Sequence, residues 1–175
     1  MFNIVLLEPE IPSNTGNIGR TCVVTNSRLH LVGRLGFDLS EKAVARSGMD
    51  YWKKVSYKRY LNYHEFMEEM KEKNPKAKIW YATTKAKQCY SDVSFGPDDY
   101  IMFGKESAGI PEEILVEHEE DCIRIPMGKE ERSLNLANSV AIVLYEALRQ
   151  NAFPGLDREG ELHELSWKEK SCGER

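Results

Sequence analysis

Short apolar runs alternate with helix-like segments along most of the chain, and this alternation restricts the possible folds more than any other feature. The apolar runs predict strands at Phe2–Leu7, Arg28–Val32, Trp52–Tyr57, Lys78–Ala82, Tyr100–Phe103 and Cys122–Ile125. The segments with helical spacing predict helices at Thr15–Thr25, Glu41–Arg46, Tyr63–Lys73, Pro111–Glu117 and Asn135–Gln150. Alternating strands and helices predict an α/β fold, with a mostly parallel sheet and helices on both faces.

The pattern stops at Gln150 and leaves a C-terminal segment of different character. Residues 151–175 contain Gly155, Gly160 and Gly173 among many charged side chains, which is typical of a mobile terminus. The 175 residues of the chain fit one domain with its own hydrophobic core. We therefore predict one domain over residues 1–150 and a charged, flexible tail over residues 151–175.

The composition excludes several classes of protein. Hydrophobic residues make up 41% and charged residues 30%, as in a globular protein. The chain has no apolar run of membrane-spanning length and no basic region before its first apolar run, so we expect a cytoplasmic protein without a membrane anchor. The Cys and His residues lack ligand spacing, so we expect neither a disulfide framework nor a metal site from Cys22, Cys89, Cys122, Cys172, His30, His64, His118 and His163.

The predicted helix Asn135–Gln150 is apolar over more of its surface than one core contact requires. One stripe at helical spacing consists of Leu136, Val140, Val143, Leu144, Ala147 and Leu148. Ala141, Ile142 and Tyr145 extend the apolar surface beyond that stripe. A helix of this kind is buried on more than one side, either in a deep core or against a second subunit. The sequence alone leaves both alternatives open.

Positive charge is concentrated between Lys53 and Lys87, in a chain whose net charge is −4. Aromatic residues are interleaved with the first of these charges: Tyr51, Trp52, Tyr57, Tyr60 and Tyr63. Overall acidity argues against non-specific nucleic-acid binding, but such a stretch is suited to contact phosphates and bases. A solvated charged face with aromatic residues in the core gives the same pattern. The pattern does not decide between the two.

Three segments join a predicted strand to a predicted helix through a loop of small and polar residues. The first, Glu8–Arg20, contains Asn14, the pair Gly16 and Gly19, and Arg20. Ligands of open parallel sheets bind at such carboxyl ends of strands. Structural roles explain the same residues, because Asn14 is a good helix cap and Arg20 is suited to a surface ion pair.

The second segment, Phe103–Pro111, carries Gly104 and Gly109 on either side of Glu106. Glycines let the backbone approach a ligand closely or adopt a positive φ. Glu106 is too polar to be loop filler in an enclosed loop, whereas in an open loop it would be an ordinary exposed acid. This segment is therefore a second candidate for ligand contact.

The third segment, Ile123–Ser139, carries Ser133 and Asn135, which are also good capping residues. Three such loops at one sheet edge predict a shared pocket rich in backbone N–H and C=O groups, suited to an adenine and a ribose. The segments offer no Ser/His/Asp set, no paired catalytic carboxylates and no metal ligands. Methyl transfer from a sulfonium needs none of these, because the protein has only to align the attacking oxygen and stabilise its developing charge.

In order and spacing, these segments resemble the three motifs of the SPOUT class of methyltransferases. The motifs are N-x-x-x-x-x-R after the first strand, G-x-E-x-x-G-[IL]-P, and I-P-M followed by S-[ML]-N-[LV]. They match Asn14–Arg20, Gly104–Pro111 and Ile125–Leu136. The resemblance covers roughly residues 1–150 and is strongest to the small TrmL-type tRNA 2′-O-methyltransferases, which consist of little more than a catalytic domain. Leu134 stands where Met is common, and the tail is longer than in the minimal pattern.

The resemblance implies an S-adenosylmethionine-dependent enzyme without a metal. Its implied substrate is the ribose 2′-OH of the wobble nucleotide, a cytidine or modified uridine, in the anticodon stem-loop of tRNA. It also implies a homodimer whose active sites are completed across the interface, and a C-terminal trefoil knot, which general topology rules would reject. The catalytic residues it assigns are Asn14, Arg20, Glu106, Ser133 and Asn135, and the cofactor pocket is lined by Ala82, Thr83, Gly104, Ile125 and Ser133.

Accounts of this class often make the arginine equivalent to Arg20 a general base. A guanidinium is essentially always protonated, so Arg20 is better suited to stabilise the alkoxide of the 2′ oxygen, and the sequence leaves its role open. Nor does the sequence identify the tRNA species or any earlier base modification that is needed. The alternatives are 2′-O-methylation elsewhere in tRNA or rRNA, and a non-catalytic RNA- or nucleotide-binding module, against which the retention of all five catalytic residues argues.

Overall fold

Seven strands form one sheet in the computed structural model, which describes residues 1–39, 50–165 and 167. The strands are β1 (Asn3–Leu7), β2 (Arg28–Val32), β3 (Tyr57–Tyr60), β4 (Ile79–Ala82), β5 (Gln88–Cys89), β6 (Tyr100–Phe103) and β7 (Cys122–Arg124). Their order in the sheet is β3-β2-β1-β6-β4-β7-β5, and neighbouring strands run parallel throughout. The predicted parallel α/β architecture is therefore confirmed.

The helices are α1 (Pro12–Val24), α2 (Tyr63–Lys73), α3 (Glu112–Leu115) and α4 (Leu136–Gln150), with 3-10 turns at Asp50–Lys54 and Val116–Asp121. α1 begins three residues before its predicted start, because a proline in the first turn has no N–H that needs a helical partner. The predicted helix Pro111–Glu117 is shorter than expected and continues as the second 3-10 turn. The predicted helix Glu41–Arg46 lies outside the described residues.

Alternate residues of the central strands point to opposite faces of the sheet, and both faces are covered by helices. Ile4 and Leu6 of β1 pack in one cluster with residues of α1 and α4. Val5 and Leu7 pack in the other cluster, which includes Phe66 from α2 and residues of the segment that contains α3. Because β1 is buried on both faces, its sequence is apolar at every position from Ile4 to Leu7 instead of alternating.

The strand predicted at Trp52–Tyr57 is wrong. Residues Asp50–Lys54 form a 3-10 turn, and the strand β3 begins only at Tyr57. The turn brings the Trp52 ring against Gly19 of α1, so closely that a Cβ at Gly19 would lie 2.7 Å from the ring. Burying this indole stabilises the turn more than the local preference of the aromatic-rich sequence stabilises an extended strand.

α4 is buried along the predicted stripe, while two of its other apolar residues are exposed. Leu136, Val140, Val143, Leu144, Ala147 and Leu148 are all buried. Ile142 and Tyr145 are 36% and 47% exposed. The helix therefore contributes one face to the core and leaves an apolar strip on its outer side.

The described part of the tail, residues 151–165 and 167, contains no helix or strand. Its beginning contacts the domain, because Phe153 and Leu156 pack against the core and Asn26 donates a hydrogen bond to the Gly155 carbonyl at 3.4 Å. Leu165 and Trp167 are largely exposed. The division at residue 150 stays a prediction.

Candidate active site

A cavity of about 560 Å³ lies at the carboxyl ends of β4, β6 and β7. The residues predicted for the cofactor pocket all line it: Ala82, Thr83, Gly104, Ile125 and Ser133. Four of the predicted catalytic residues line it as well: Asn14, Glu106, Ser133 and Asn135. Segments that are distant in sequence thus meet at one cavity, while the roles of these residues remain predictions.

The loop after β6 can form only with glycine at its first position. A Cβ at Gly104 would overlap the backbone of Gly109 and Ile110, which folds back directly over it. Gly109 has a φ of +73°, in the region that favours glycine, and its N–H donates to the Lys105 carbonyl at 2.8 Å. This tight loop brings bare backbone to the cavity wall and holds Glu106 at its tip.

The Glu106 carboxylate ties the second loop to the first. It accepts hydrogen bonds from the backbone N–H of Glu10 at 2.9 Å and of Ile11 at 3.3 Å. It also accepts one from the Asn14 side-chain amide at 2.9 Å. Three donors on a half-buried carboxylate fix its position, so Glu106 is neither loop filler nor a freely solvated acid.

Asn14 joins this carboxylate to the third segment. Its side chain is buried, and while its amide donates to Glu106, its Oδ1 accepts a hydrogen bond from Asn135 Nδ2 at 3.0 Å. Asn135 in turn caps α4, because its Oδ1 accepts from the N–H groups of Ala137 and Asn138 at 2.9 and 3.2 Å. The capping role expected for Asn135 and its place at the cavity are therefore compatible.

A second link between the first two loops was not predicted from the sequence. The Glu10 carboxylate accepts hydrogen bonds from the backbone N–H and the hydroxyl of Ser107, both at 2.9 Å. These bonds lower the pKa of the Glu10 carboxyl, the hydroxyl contributing more than the N–H. Because Glu106 accepts from the Glu10 N–H, the two loops hold each other reciprocally. No local pattern signals this pair, whose members lie 97 residues apart.

Arg20 lies apart from this network. It is exposed on α1, with its guanidinium carbon 5.4 Å from the centroid of the Tyr51 ring, in a cation–π arrangement. It is absent from the described residues that line the cavity. Within one chain, the predicted catalytic arginine is therefore not brought to the other four predicted catalytic residues.

Among the described residues, three cationic side chains border the cavity: Lys85, Lys105 and Arg132. Lys85 pairs with Glu112 at 2.7 Å, and Lys105 pairs with Glu8 at 3.3 Å. Arg132 is exposed and forms no ion pair with any residue in the described ranges.

The basic stretch 53–87 divides into a core part and a surface part. Trp52 and Tyr60 are buried, as the core interpretation requires, whereas Tyr57 is 40% exposed. Lys58 and Lys73 both pair with Glu69, and their hydrogen bonds hold the pKa of that carboxyl at about 2. Part of the positive charge is thus neutralised within the chain, which weakens this stretch as an RNA-contact surface.

Among residues 1–39, 50–165 and 167, no group of His, Cys, Asp and Glu side chains is placed to hold a metal ion. Burial raises the pKa of the Cys22 thiol to about 12, so this thiol stays protonated and is unsuited to act as a nucleophile. No helix in the same ranges is both long and apolar enough to cross a membrane.

The chain is similar to known RNA-modifying enzymes over most of its length. The SpoU rRNA Methylase family model matches residues 1–145. A tRNA (cytidine(34)-2′-O)-methyltransferase of Escherichia coli K12 is 45% identical over 156 residues, which cover 89% of this chain and 97% of that enzyme.

Solved structures of such enzymes share the fold. One, described as structural insights into the 2-OH methylation of C/U34 on tRNA, has a TM-score of 0.80 and 37% identity, covering 87% of this chain and 97% of that one. The AdoMet-bound rRNA methyltransferase from Sinorhizobium meliloti has a TM-score of 0.72 and 25% identity, covering 85% of this chain and 56% of that one.

Proposed function

Because this chain belongs to the SpoU rRNA methylase family, we propose that it transfers a methyl group from S-adenosylmethionine to the 2′-OH of the tRNA wobble ribose. The nucleotide is a cytidine or a modified uridine. The resemblance to SPOUT methyltransferases that the motifs indicate is confirmed by this membership. The observation that carries the proposal is the hydrogen-bonded set Glu106–Asn14–Asn135, which unites all three motif segments at one cavity.

The residues around the cavity fit S-adenosylmethionine. The wall at Gly104 has no room for a side chain, so backbone groups are available to an adenosyl moiety there. Ala82, Thr83 and Ile125 add a largely apolar surface, and Ser133 adds a hydroxyl. When bound, the cofactor supplies a methyl group on a positively charged sulfur, which is already activated for transfer to oxygen.

The chain's own residues then have to orient the ribose and stabilise the charge that develops on its 2′ oxygen. Asn14 is suited to orientation, because Glu106 and Asn135 hold both ends of its amide. Ser133 and Asn135 border the same space from the other side. Arg20 supplies the cation that favours the alkoxide, since a guanidinium keeps its charge at every physiological pH.

We further propose that the enzyme is a homodimer through the outer side of α4. The exposed apolar residues Ile142 and Tyr145 support this interface. α1 packs beside α4, and Arg20 lies on its exposed side. A second copy in contact with both helices would bring Arg20 of one chain close to the cavity of the other, which would explain why Arg20 does not line the cavity of its own chain.

We also propose a trefoil knot, the domain bounds and a cytoplasmic location. The trefoil knot rests on the resemblance, and it agrees with a chain that leaves β7 near one edge of the sheet and returns to pack α4 against α1. We place the catalytic domain at residues 1–150, with the tail as an appendage. Because tRNA is the substrate, we place the enzyme in the cytoplasm.

Methylation of purified tRNA tests the function directly. The protein is incubated with unmodified tRNA and methyl-labelled S-adenosylmethionine, and the product is digested to nucleosides and mapped by mass. We expect one ribose methyl group, on the wobble nucleotide. A methyl group on a base would contradict the chemistry, and a ribose methyl group elsewhere in tRNA or in rRNA would support the alternative specificity.

A further inference from the structure

Arg132 is the one cation at the cavity, among the described residues, that no carboxylate neutralises. Lys85 and Lys105 border the same space, but each already pairs with a glutamate. An arginine with an open guanidinium at the mouth of a cavity is available for an anionic ligand.

The position of Arg132 is set by residues of the site. It directly precedes Ser133 and stands three residues before Asn135. Asn135 is fixed at both ends of its side chain, by the first turn of α4 and by Asn14. The backbone that carries Arg132 is therefore anchored next to the Glu106–Asn14–Asn135 set, and its side chain lines the same cavity.

The charge around the cavity creates a need for such a residue. Glu10 and Glu106 lie in the two loops at this edge of the sheet, and their carboxylates accept hydrogen bonds from neutral donors. A polynucleotide that places a ribose in the cavity also brings a phosphodiester on each side of that ribose, and carboxylates nearby repel those phosphates. A guanidinium can grip two oxygens of one phosphate at once, which fixes orientation as well as charge.

We propose that Arg132 binds a phosphodiester next to the ribose that is methylated. This inference rests on the proposed function, because it takes the substrate to be an RNA whose ribose enters the cavity. Arg132 thereby positions the nucleotide, while Arg20 serves the reacting oxygen. Methylation is thus tied to a nucleotide inside a chain, since a free nucleoside lacks the phosphate.

The test combines protein variants with a modified RNA. The variants are Arg132→Ala, Arg132→Lys and, as a matched control, Lys129→Ala, which removes an exposed cation from the same loop that does not line the cavity. The RNA is an anticodon stem-loop made in two versions. Each version has a neutral methylphosphonate in place of a different one of the two phosphates beside the target nucleotide. RNA affinity, S-adenosylmethionine affinity and oligomeric state are measured for each variant.

We expect Arg132→Ala to weaken RNA binding about tenfold and to reduce the slope of log affinity against log salt by about 1. Cofactor affinity and oligomeric state should not change. One of the two methylphosphonate RNAs should bind the wild type and Lys129→Ala more weakly than the unmodified RNA does, by a factor similar to the loss that Arg132→Ala causes. Arg132→Ala itself should bind this RNA and the unmodified RNA with equal affinity. Arg132→Lys should recover only part of the affinity, because an ammonium cannot form the two parallel bonds.

Three results would overturn the inference. One is that both methylphosphonates weaken Arg132→Ala as much as the wild type. Another is a parallel loss of cofactor affinity, which would assign Arg132 to the cofactor carboxylate. The third is dissociation into monomers. Because binding is measured apart from methyl transfer, a wild type that binds the stem-loop but methylates another nucleotide would overturn the proposed specificity, and the methylphosphonates beside that nucleotide would then decide the role of Arg132.

Discussion

The side chains of Asn14 and Asn135 meet at 3.0 Å although 121 residues separate them along the chain. This contact joins the beginning of α1 to the beginning of α4. Through Asn14, it also connects both helices to the Glu106 carboxylate. The arrangement of the site therefore depends on one buried amide that both donates and accepts.

Asn14→Asp tests this dependence. The new carboxylate would face Glu106 without a donor, so we expect a free energy of unfolding lower by about 1–3 kcal/mol at neutral pH. Turnover should fall much further than stability, because the ribose loses its orientation. Chemical denaturation and methyl transfer are measured on the same samples. Asn17→Asp, on an exposed position of α1, is the control, and normal turnover of Asn14→Asp would exclude the proposed role.

Arg20→Ala should lower turnover by orders of magnitude and leave cofactor affinity nearly unchanged, because its charge acts on the transition state. Arg20→Lys should restore little if the guanidinium grips two oxygens at once. If Arg20 only stacks on Tyr51, the loss would instead be about 0.5–1 kcal/mol of stability with near-normal turnover. Kinetics, calorimetry and melting temperature together separate these outcomes.

Ile142→Glu and Tyr145→Glu should convert the protein to monomers, because each places a charge on the exposed apolar strip of α4. Leu61→Glu introduces the same charge at a side chain that is 82% exposed outside α4 and should leave the oligomeric state unchanged. Analytical ultracentrifugation gives the mass of each variant. Folded, active monomers of the two α4 variants would rule out both the interface and the need for a second copy.

Gly104→Ala should abolish cofactor binding, since a Cβ there forces the loop away from Gly109 and Ile110. Gly128→Ala is the matched control, because a Cβ at Gly128 meets no atom within 4 Å. Calorimetry with S-adenosylmethionine is carried out in the presence of a chelator. Loss of wild-type binding under chelation would show that a metal takes part, contrary to our expectation.

His30 makes stability depend on pH. Its ring is buried between Tyr60 and Asn3, and burial, more than any nearby charge, lowers its pKa from 6.5 to about 4. Between these two values the unfolded chain binds the proton more strongly, so the contribution of His30 is complete above pH 6.5 and is lost as pH falls toward 4. At the lower limit, we expect a loss of about 3 kcal/mol.

Denaturation of the wild type and His30→Gln at pH 7 and pH 4.5 measures this effect. The stability advantage of the wild type should shrink on acidification by about 2 kcal/mol or more. His64→Gln, at an exposed position beside Glu68, is the control substitution. An equal pH dependence of the wild type and His30→Gln would mean that His30 is not held neutral.

The central strands β1, β4 and β6 could be predicted because they are buried on both faces and read as nearly continuous apolar runs. β3 was misplaced because the Tyr51–Tyr60 stretch favours an extended chain, whereas the contact of Trp52 with Gly19 imposes a turn. β5 was missed because two residues carry no pattern of their own.

The sequence predicted those residues of the site that belong to the three motifs. Asn14, Glu106 and Asn135 could be chosen because they stand at strand-to-helix junctions, where a parallel sheet gathers its loops. Glu10 and Ser107 gave no signal, since a hydrogen bond between distant loops depends on the folded geometry alone. The distance of Arg20 from the cavity could not be foreseen either, because helical spacing fixes a residue's angle around α1 but not what lies beyond the helix.

The inner position of β1 has a consequence for the order in which the protein matures. β2 is synthesised soon after β1, but β6, its other neighbour, begins only at Tyr100. Until then a growing chain exposes one edge of β1, a hydrogen-bonding surface that attracts other extended chains. The contact of Asn135 with Asn14 forms later still. A ribosome-bound intermediate therefore lacks the site that we propose, and a chain that ends before Tyr100 would expose this edge of β1 and be prone to aggregate.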